Sequence, residues 1–397
     1  MKQNKIVLGI INPSDLSNKK VSGGATGFLR NIVPFLTTKQ TVIFGIGSKN
    51  TFPWKTYHLE QNVDFVPICN LSFSSIIPMR LKVLIYYFIN RNRIINSGVD
   101  ILYIQMPECC LPFLDNKKGI PVIYQKHGSA NPVSRAKYIY GRIILFRKFY
   151  EIVLMLIYKK ADWIIPIDRL SLKEANEKGA KGRTSLLMNA VDTEKYYPDE
   201  VSRTHVRKRI GLVDNIFVIL FVGRIEKAKG PERLLDCIPY MKREKLFFHI
   251  FLAGEGTYKA YLEKKVKVKK YETNVTFLGH FPHEKMSYLY NMADVMILPS
   301  ETEGVPMVIL EALACGTPVI ASNVGGISDL VFDGINGIVL NDISPSKLAS
   351  AIMTLPSKKY KREKIAASVE NFSARNFVKS FDKIISNVLN KSNKQIS

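Results

Sequence analysis

Two carboxylates, Glu303 and Glu311, bracket the apolar run "GVPMVIL" within the stretch "SETEGVPMVILEALACGTPVIASNVGG". The preceding "VMILP" reads as a strand. "PMVILEALACG" reads as a helix, with Pro306 near its first turn and Gly316 at its end. Glu303 then lies in the loop ahead of the helix and Glu311 about one and a half turns inside it. Carboxylates so placed offer acceptors to vicinal hydroxyls, and the backbone N–H groups of Met307 and Val308 add donors at the helix start. The chemistry that suits them is the grip of a polyhydroxylated ligand.

A second group follows the strand-like "FVILFV", in "GRIEKAKGPERLLD". Gly223 permits close backbone approach, Arg224 comes next, and Lys229 and Gly230 stand where a helix begins, with Pro231 in its first turn. Two cations beside a helix N-terminus make an anion site, and a diphosphate is its natural guest. The competing reading is a surface pair, common in so basic a chain. His127, in "KHGSANP" after the strand-like "PVIYQ", is either catalytic or structural, the commoner role for a lone histidine there. The Gly23-Gly24 pair of "SNKKVSGGATGFLR" is either a flexible turn or a backbone that a phosphate or sugar approaches. "LAGEGTYKAYL" lacks the GxGxxG pattern, so Gly254 and Gly256 read as a turn from strand to helix. No Asp-x-Asp pair and no histidine cluster suggests a metal site.

The elements that must position these residues alternate from end to end. Strand candidates are "IVLGII", "TVIFGI", "VDFVPI", "DILYIQ", "PVIYQ", "WIIPI" and "TSLLMN", then "FVILFVG", "FFHIFLAG", "NVTFLG", "VMILP", "TPVIAS" and "GIVL". Their continuous β-branched runs fit strands buried on both faces. Helix-like segments between them imply parallel sheets in an α/β fold. At 397 residues the chain suits two domains. The polar stretch "DTEKYYPDEVSRTHVRKRIGLVDN" predicts a linker at 198–214, giving domains at 1–198 and 214–371 and a final helix and tail at 372–397. Ligands in such sheets sit at the carboxyl ends of strands. Two Rossmann-like domains facing one another would form a cleft there. The five cysteines show no metal-ligand or disulfide spacing.

The ordered set "SGGATGFLR", "HG" at 127–128, "MNAVDTEKYYP", "VGRIEKAKGPERLL", "NVTFLGHFP", the Glu303–Glu311 stretch and "LVFDGINGIVL" resembles the retaining glycosyltransferases of family four. The likeness covers nearly the whole chain, and the two glutamates match the family's E-x7-E motif. It implies a GT-B fold, with two facing Rossmann-like domains and a C-terminal helix crossing back to the first. Arg224 and Lys229 would bind the diphosphate of a nucleotide sugar, with Gly24 close to the phosphates or the acceptor. Glu311 would hold the ribose hydroxyls, and Phe281 would pack against the base. Glu303 would contact the transferred sugar, helped by the backbone amides of Val305, Met307 and Val308. His127 would reach across the cleft to sugar or phosphate. Pro306 departs from the glycine common in the family and removes one backbone donor. The resemblance implies no metal and no cofactor. Attack would come from the face the leaving group departs, with Glu303 positioning the sugar rather than becoming glycosylated. UDP is favoured over GDP as the nucleotide.

The net charge is +23, and residues 117–160 hold ten basic residues against one acid, Glu151. The segment 133–160, "VSRAKYIYGRIILFRKFYEIVLMLIYKK", mixes cations with large apolar residues. It reads as a surface for an anionic membrane, bringing the enzyme to a lipid-linked saccharide acceptor, or as a core helix with a solvated basic edge. Nucleic acid is not expected, because no recognition motif accompanies the charge. No apolar stretch reaches the roughly 18 residues of a membrane span, so the expected location is cytoplasmic, peripheral at the inner face of the plasma membrane. Two rival readings stand: a GT-B disaccharide synthase or phosphorylase acting on soluble sugars, and a catalytically silent nucleotide-sugar-binding protein.

Overall fold

The computed structural model describes residues 6–18, 24–36, 39–70, 79–127, 144–212, 215–358 and 360–396. They form two compact units, one of residues 1–189 with 374–397, the other of 190–373.

The first unit is built on a seven-stranded sheet in the order β3-β4-β2-β1-β5-β6-β7. Its strands are β1 (Val7–Ile11), β2 (Gln40–Gly47), β3 (Tyr57–Glu60), β4 (Val63–Asn70), β5 (Ile101–Ile104), β6 (Val122–Lys126) and β7 (Trp163–Pro166). All pair in parallel except the edge strand β3. Every residue of β5 and β6 is buried, which is why these runs show no alternation in sequence. Around the sheet lie α1 (Gly24–Ile32), α2 (Met79–Ile95), α3 (Pro107–Cys110), α4 (Ile144–Lys160) and α5 (Arg169–Ala175). The run "TSLLMN" does not form the expected strand. Only Thr184 makes an isolated bridge, to Ile164, and Leu187 N–H still donates to Pro166 O. Pro166 has no N–H to return, so the ladder stops.

The second unit carries a six-stranded parallel sheet in the order β10-β9-β8-β11-β12-β13. Its strands are β8 (Phe217–Val222), β9 (Phe248–Ala253), β10 (Val275–Gly279), β11 (Val295–Leu298), β12 (Val319–Ser322) and β13 (Gly337–Leu340). Its helices are α6 (Glu200–Arg209), α7 (Pro231–Asp236), α8 (Ile238–Arg243), α9 (Lys259–Val268), α10 (Met286–Met292), α11 (Met307–Ala314), α12 (Pro345–Thr354) and α13 (Arg362–Ala367). Strand order reverses between β8 and β11, the place where open α/β sheets bind ligands.

The expected linker at 198–214 is corrected. Its residues 200–209 are α6, capped by Asp199, whose carboxylate accepts from Ser202 N–H. No residue of α6 is buried, so no apolar stripe announced it. It is held instead by Arg203 and Arg207, whose guanidinium groups reach the two oxygens of Asp294 at 2.5 and 2.6 Å. The first unit accordingly ends at Asn189 rather than 198.

The last helix, α14 (Ala374–Ile396), belongs to the first unit. Phe377 meets Phe28 edge-on with ring centres 5.0 Å apart, and Phe381 packs on Tyr103 at 4.7 Å. Lys39 Nζ pairs with Asp382 at 2.5 Å.

Candidate active site at the strand-order reversal of the second unit

The chain leaves β8 through Gly223 and Arg224 and makes a 3-10 turn over Lys227–Lys229. Gly230 follows in the left-handed region at φ 70°, and a Cβ there would sit 2.1 Å from Pro299 O. Only glycine lets the loops after β8 and β11 pack backbone to backbone. That contact brings Lys229 to Glu303: its ammonium nitrogen lies 2.7 Å from each carboxylate oxygen. Ser300 Oγ donates to Glu303 Oε1 at 2.7 Å, and Ser322 Oγ donates to Ser300 O at 2.5 Å. The Glu303 side chain is only 8% exposed. From the loop after β12, Gly325 packs so closely that a Cβ would be 2.3 Å from Glu303 O, and Gly326 N–H donates to Gly304 O at 2.8 Å.

Arg224 is largely exposed and pairs with Glu226 at 2.7 Å. Gly223 N–H donates to Ala253 O and Ile225 N–H to Glu255 O, which ties the loop after β8 to the loop after β9. A Cβ on Gly256 would stand 2.2 Å from Ile225 O, and one on Gly254 1.9 Å from Gly223 O. Gly254 and Gly256 therefore do more than turn a strand into a helix; they fix where Arg224 emerges. The helix expected behind the two cations begins where expected, at Pro231 with Gly230 before it. α7 has six residues and gives way to α8 after Cys237, so its dipole is small and the positive charge rests on Lys229 and Arg224.

Glu311 is buried within α11. Its Oε2 accepts from Tyr290 Oη at 2.7 Å, and its Oε1 faces His283 Nε2 at 3.9 Å. On the far side of that imidazole, Lys195 Nζ lies 2.7 Å from Nδ1. Burial raises the Glu311 pKa above the carboxylate norm, while the Tyr290 hydrogen bond and the Lys195 charge hold it down. Val305 and Met307 are buried, so backbone rather than side chain is what they can present, and Val308 is partly exposed in the first turn of α11. Phe281, partly exposed, follows β10.

Two expected residues belong to the first unit. Gly24 opens α1, is exposed, and has nothing among the described residues within 4 Å of where a Cβ would stand. Packing among the described residues therefore does not demand a glycine there. His127 follows β6; its Nε2 is enclosed without a hydrogen-bond partner among the described residues, and burial pushes its pKa down to about 4. Beside it, Lys126 is buried and pairs with Glu174 at 2.8 Å and Tyr158 Oη at 2.6 Å. Where strand order reverses in this unit, between β1 and β5, Asn12 Nδ2 donates to Gln105 Oε1 at 2.8 Å. The segment 128–143, part of the basic stretch, lies outside the described residues. Sequence reasoning missed Ser300, Gly325, Tyr290, His283 and Lys195. Ser300 could have been found beside Glu303, but the rest meet their partners only through the fold. Among the described residues, no group of three or more His, Cys, Asp or Glu side chains could hold a metal ion.

Residues 202–372 match the family model described as Glycosyl transferases group 1. A D-inositol 3-phosphate glycosyltransferase of Geodermatophilus obscurus is 33% identical over 186 residues, 45% of this chain and 41% of that protein. The chain thus spans less than half the length of that relative. Among solved structures, a sucrose-phosphate synthase from Thermosynechococcus elongatus has a TM-score of 0.82 at 18% identity, covering 98% of this chain and all of that one. Anabaena HepE in complex with UDP-glucose has a TM-score of 0.71 at 18% identity, covering 96% of this chain and 100% of that one. At such identity the likeness establishes the fold, which is that of the GT-B glycosyltransferases.

Proposed function

We propose that the protein is a retaining glycosyltransferase that needs no metal. It moves a sugar from a nucleoside diphosphate sugar, with UDP favoured, to a hydroxyl of a lipid-linked glycan or another cell-surface polysaccharide precursor. The observation that carries this reading is the Lys229–Glu303 pair at the strand-order reversal, with Glu311 one helix turn and a half beyond. In this reading the bond from anomeric carbon to phosphate oxygen breaks, and negative charge develops on the leaving diphosphate. Lys229 and Arg224 stabilise that charge, each close contact contributing about 1–4 kcal/mol. Glu303, released from Lys229 as the phosphate arrives, accepts hydrogen bonds from the sugar. The acceptor hydroxyl attacks from the departing face and passes its proton to the leaving phosphate. His127 and Gly24 are assigned to the sugar, phosphate or acceptor side, and Phe281 to the base.

The lipid-linked acceptor is supported by the first unit. On α2, Leu81, Ile85, Phe88 and Ile89 are exposed at helical spacing; on α4, Phe149, Ile152 and Met155 are. Arg91 and Arg93 on α2 and Lys148, Lys159 and Lys160 on α4 lie on the same two helices. Large apolar residues mixed with cations suit the headgroup region of an anionic bilayer, at the inner face of the plasma membrane. No helix among the described residues is long and apolar enough to cross a membrane.

The test is calorimetric titration with UDP, GDP and ADP in chelator. It is followed by NMR of the anomeric configuration of the product, and by sedimentation with anionic and neutral vesicles. Binding of one nucleotide without metal, a product of retained configuration and salt-sensitive sedimentation with anionic vesicles are expected. Binding only on addition of a divalent cation would overturn the metal-free mechanism. Transfer to free sugars without vesicle binding would move the acceptor to the soluble class.

A further inference from the structure

Trp163 opens β7, the edge strand of the first unit's sheet. The chain returns along that edge, where Ile164 N–H donates to Arg183 O and Ser185 N–H donates to Ile164 O. Ser185 Oγ thereby accepts from the indole Nε1–H of Trp163 at 3.1 Å, which fixes the orientation of the ring. The helix α14 passes beside it. Its buried stripe runs through Phe377, Phe381, Ile384 and Val388. Asn387, Asn390 and Lys391, spaced i, i+3 and i+4, stand exposed on one flank of that stripe. With the half-buried Trp163 they line a cavity of about 260 Å³, all of it within the first unit. Lys391 Nζ lies 4.7 Å from the centre of the indole. Among the described residues no carboxylate pairs with Lys391, and the side-chain amides of Asn387 and Asn390 have no hydrogen-bond partner.

We propose that this cavity binds one ring of an acidic saccharide, a hexuronate, at a site separate from the loops that carry Lys229 and Glu303. The indole offers a flat apolar platform for the C–H face of a pyranose. Each amide supplies both donors and an acceptor, the pairing that vicinal hydroxyls need. The ammonium now over the indole turns to the ligand's carboxylate, and a neutral ring would leave that charge unmatched. The volume lies just below the roughly 300–1,000 Å³ of sites for larger ligands, so a single ring fills it. Trp163 is the first of the four residues of β7, which places it roughly 10 Å from the carboxyl end of that strand. Ligands of open α/β sheets gather at the carboxyl ends. The cavity therefore gives the protein a hold on a glycan away from that edge of the sheet.

The experiment is NMR titration of the full chain, nitrogen-15 labelled at tryptophan, with methyl glucuronoside and methyl glucoside, which differ only at C6. The chain has two tryptophans, so two indole N–H signals are observed. Trp163→Phe assigns them, and Trp54→Phe does so should that variant not fold. The Trp163 signal is expected to move and the Trp54 signal to stay, with the glucuronoside bound about 3-fold more tightly or better. Lys391→Met should abolish that preference and leave glucoside binding within about 2-fold of wild type. Asn387→Ala combined with Asn390→Ala should weaken both ligands about 10-fold. These side chains are exposed, so the variants test binding without disturbing the core. No movement of the Trp163 signal with tens of millimolar ligand, or equal movement of both signals, would overturn the site. Equal affinity for the two glycosides, or a preference that survives Lys391→Met, would overturn the acidic ligand class. Neither probe is a nucleotide, so failure here leaves the nucleotide-sugar reading intact, and failure of nucleotides to bind leaves this site standing.

Discussion

One ammonium nitrogen, Lys229 Nζ, lies 2.7 Å from each oxygen of the Glu303 carboxylate, joining the loops after β8 and β11. With Glu303 so enclosed, removing one partner leaves the other charge poorly solvated. Lys229→Met is expected to destabilise the second unit by about 1–3 kcal/mol and to weaken nucleoside diphosphate binding at least 10-fold. Glu303→Gln should leave nucleotide binding within a few-fold of wild type and stop transfer. Calorimetry and a turnover assay on the two variants would separate these roles; similar effects from both would mean that the pair is only a structural bridge.

Gly325 sits at φ 62°, and a Cβ there would press on Glu303 O at 2.3 Å. Gly325→Ala meets both backbone strain and a clash with main chain, which cannot swing away. A loss of about 1–3 kcal/mol is expected, with turnover falling because the Glu303 loop must shift. A crystal structure of the variant with Glu303 in place would refute the positioning role.

Burial holds the Glu311 pKa above its ordinary 4.5, with Tyr290 and Lys195 opposing. A carboxyl whose folded pKa is raised costs nothing below its unfolded pKa and costs the full penalty above its folded one. Glu311→Gln should therefore gain on wild type as pH rises through the acid range. Its melting temperature at pH 8 is expected to be about 2–4 °C higher than wild type, with nucleotide binding lost. Paired thermal scans at pH 4 and pH 8 would check it; an unchanged difference between the two would contradict the sign.

His127 lies at about 4, below its ordinary 6.5. The unfolded chain then binds a proton that the folded one refuses, so stability is intact above pH 6.5 and falls as pH drops toward 4. His127→Gln should remove on the order of 2 kcal/mol of that acid sensitivity in the first unit. Urea unfolding at pH 7 and pH 4.5 measures it, and equal acid losses in both proteins would place the sensitivity elsewhere.

What could be read along the chain was whatever acts locally. Strands buried on both faces, such as β5 and β6, announce themselves as apolar runs. Glu303 and Glu311 are legible because one loop and one short helix carry both. β3 was invisible because an edge strand exposed on alternate residues has no apolar run to show. α6 looked like a linker because guanidinium–carboxylate contacts to Asp294, and not an apolar face, fix it. Lys195 and His283, 88 residues apart, meet only once the fold has formed. Gly254 and Gly256 do turn a strand into a helix, and the part not legible along the chain is that they also make room for backbone from another strand's loop, Gly223 and Ile225.

The core of the first unit is completed by Phe377 and Phe381, from the far end of the sequence. During synthesis the ribosome has therefore to make all of residues 190–373 before those rings exist. The second unit is contiguous and can close as soon as it emerges. The later-made unit can therefore be complete before the earlier one, whose Phe28 and Tyr103 gain these aromatic partners only once α14 has been made.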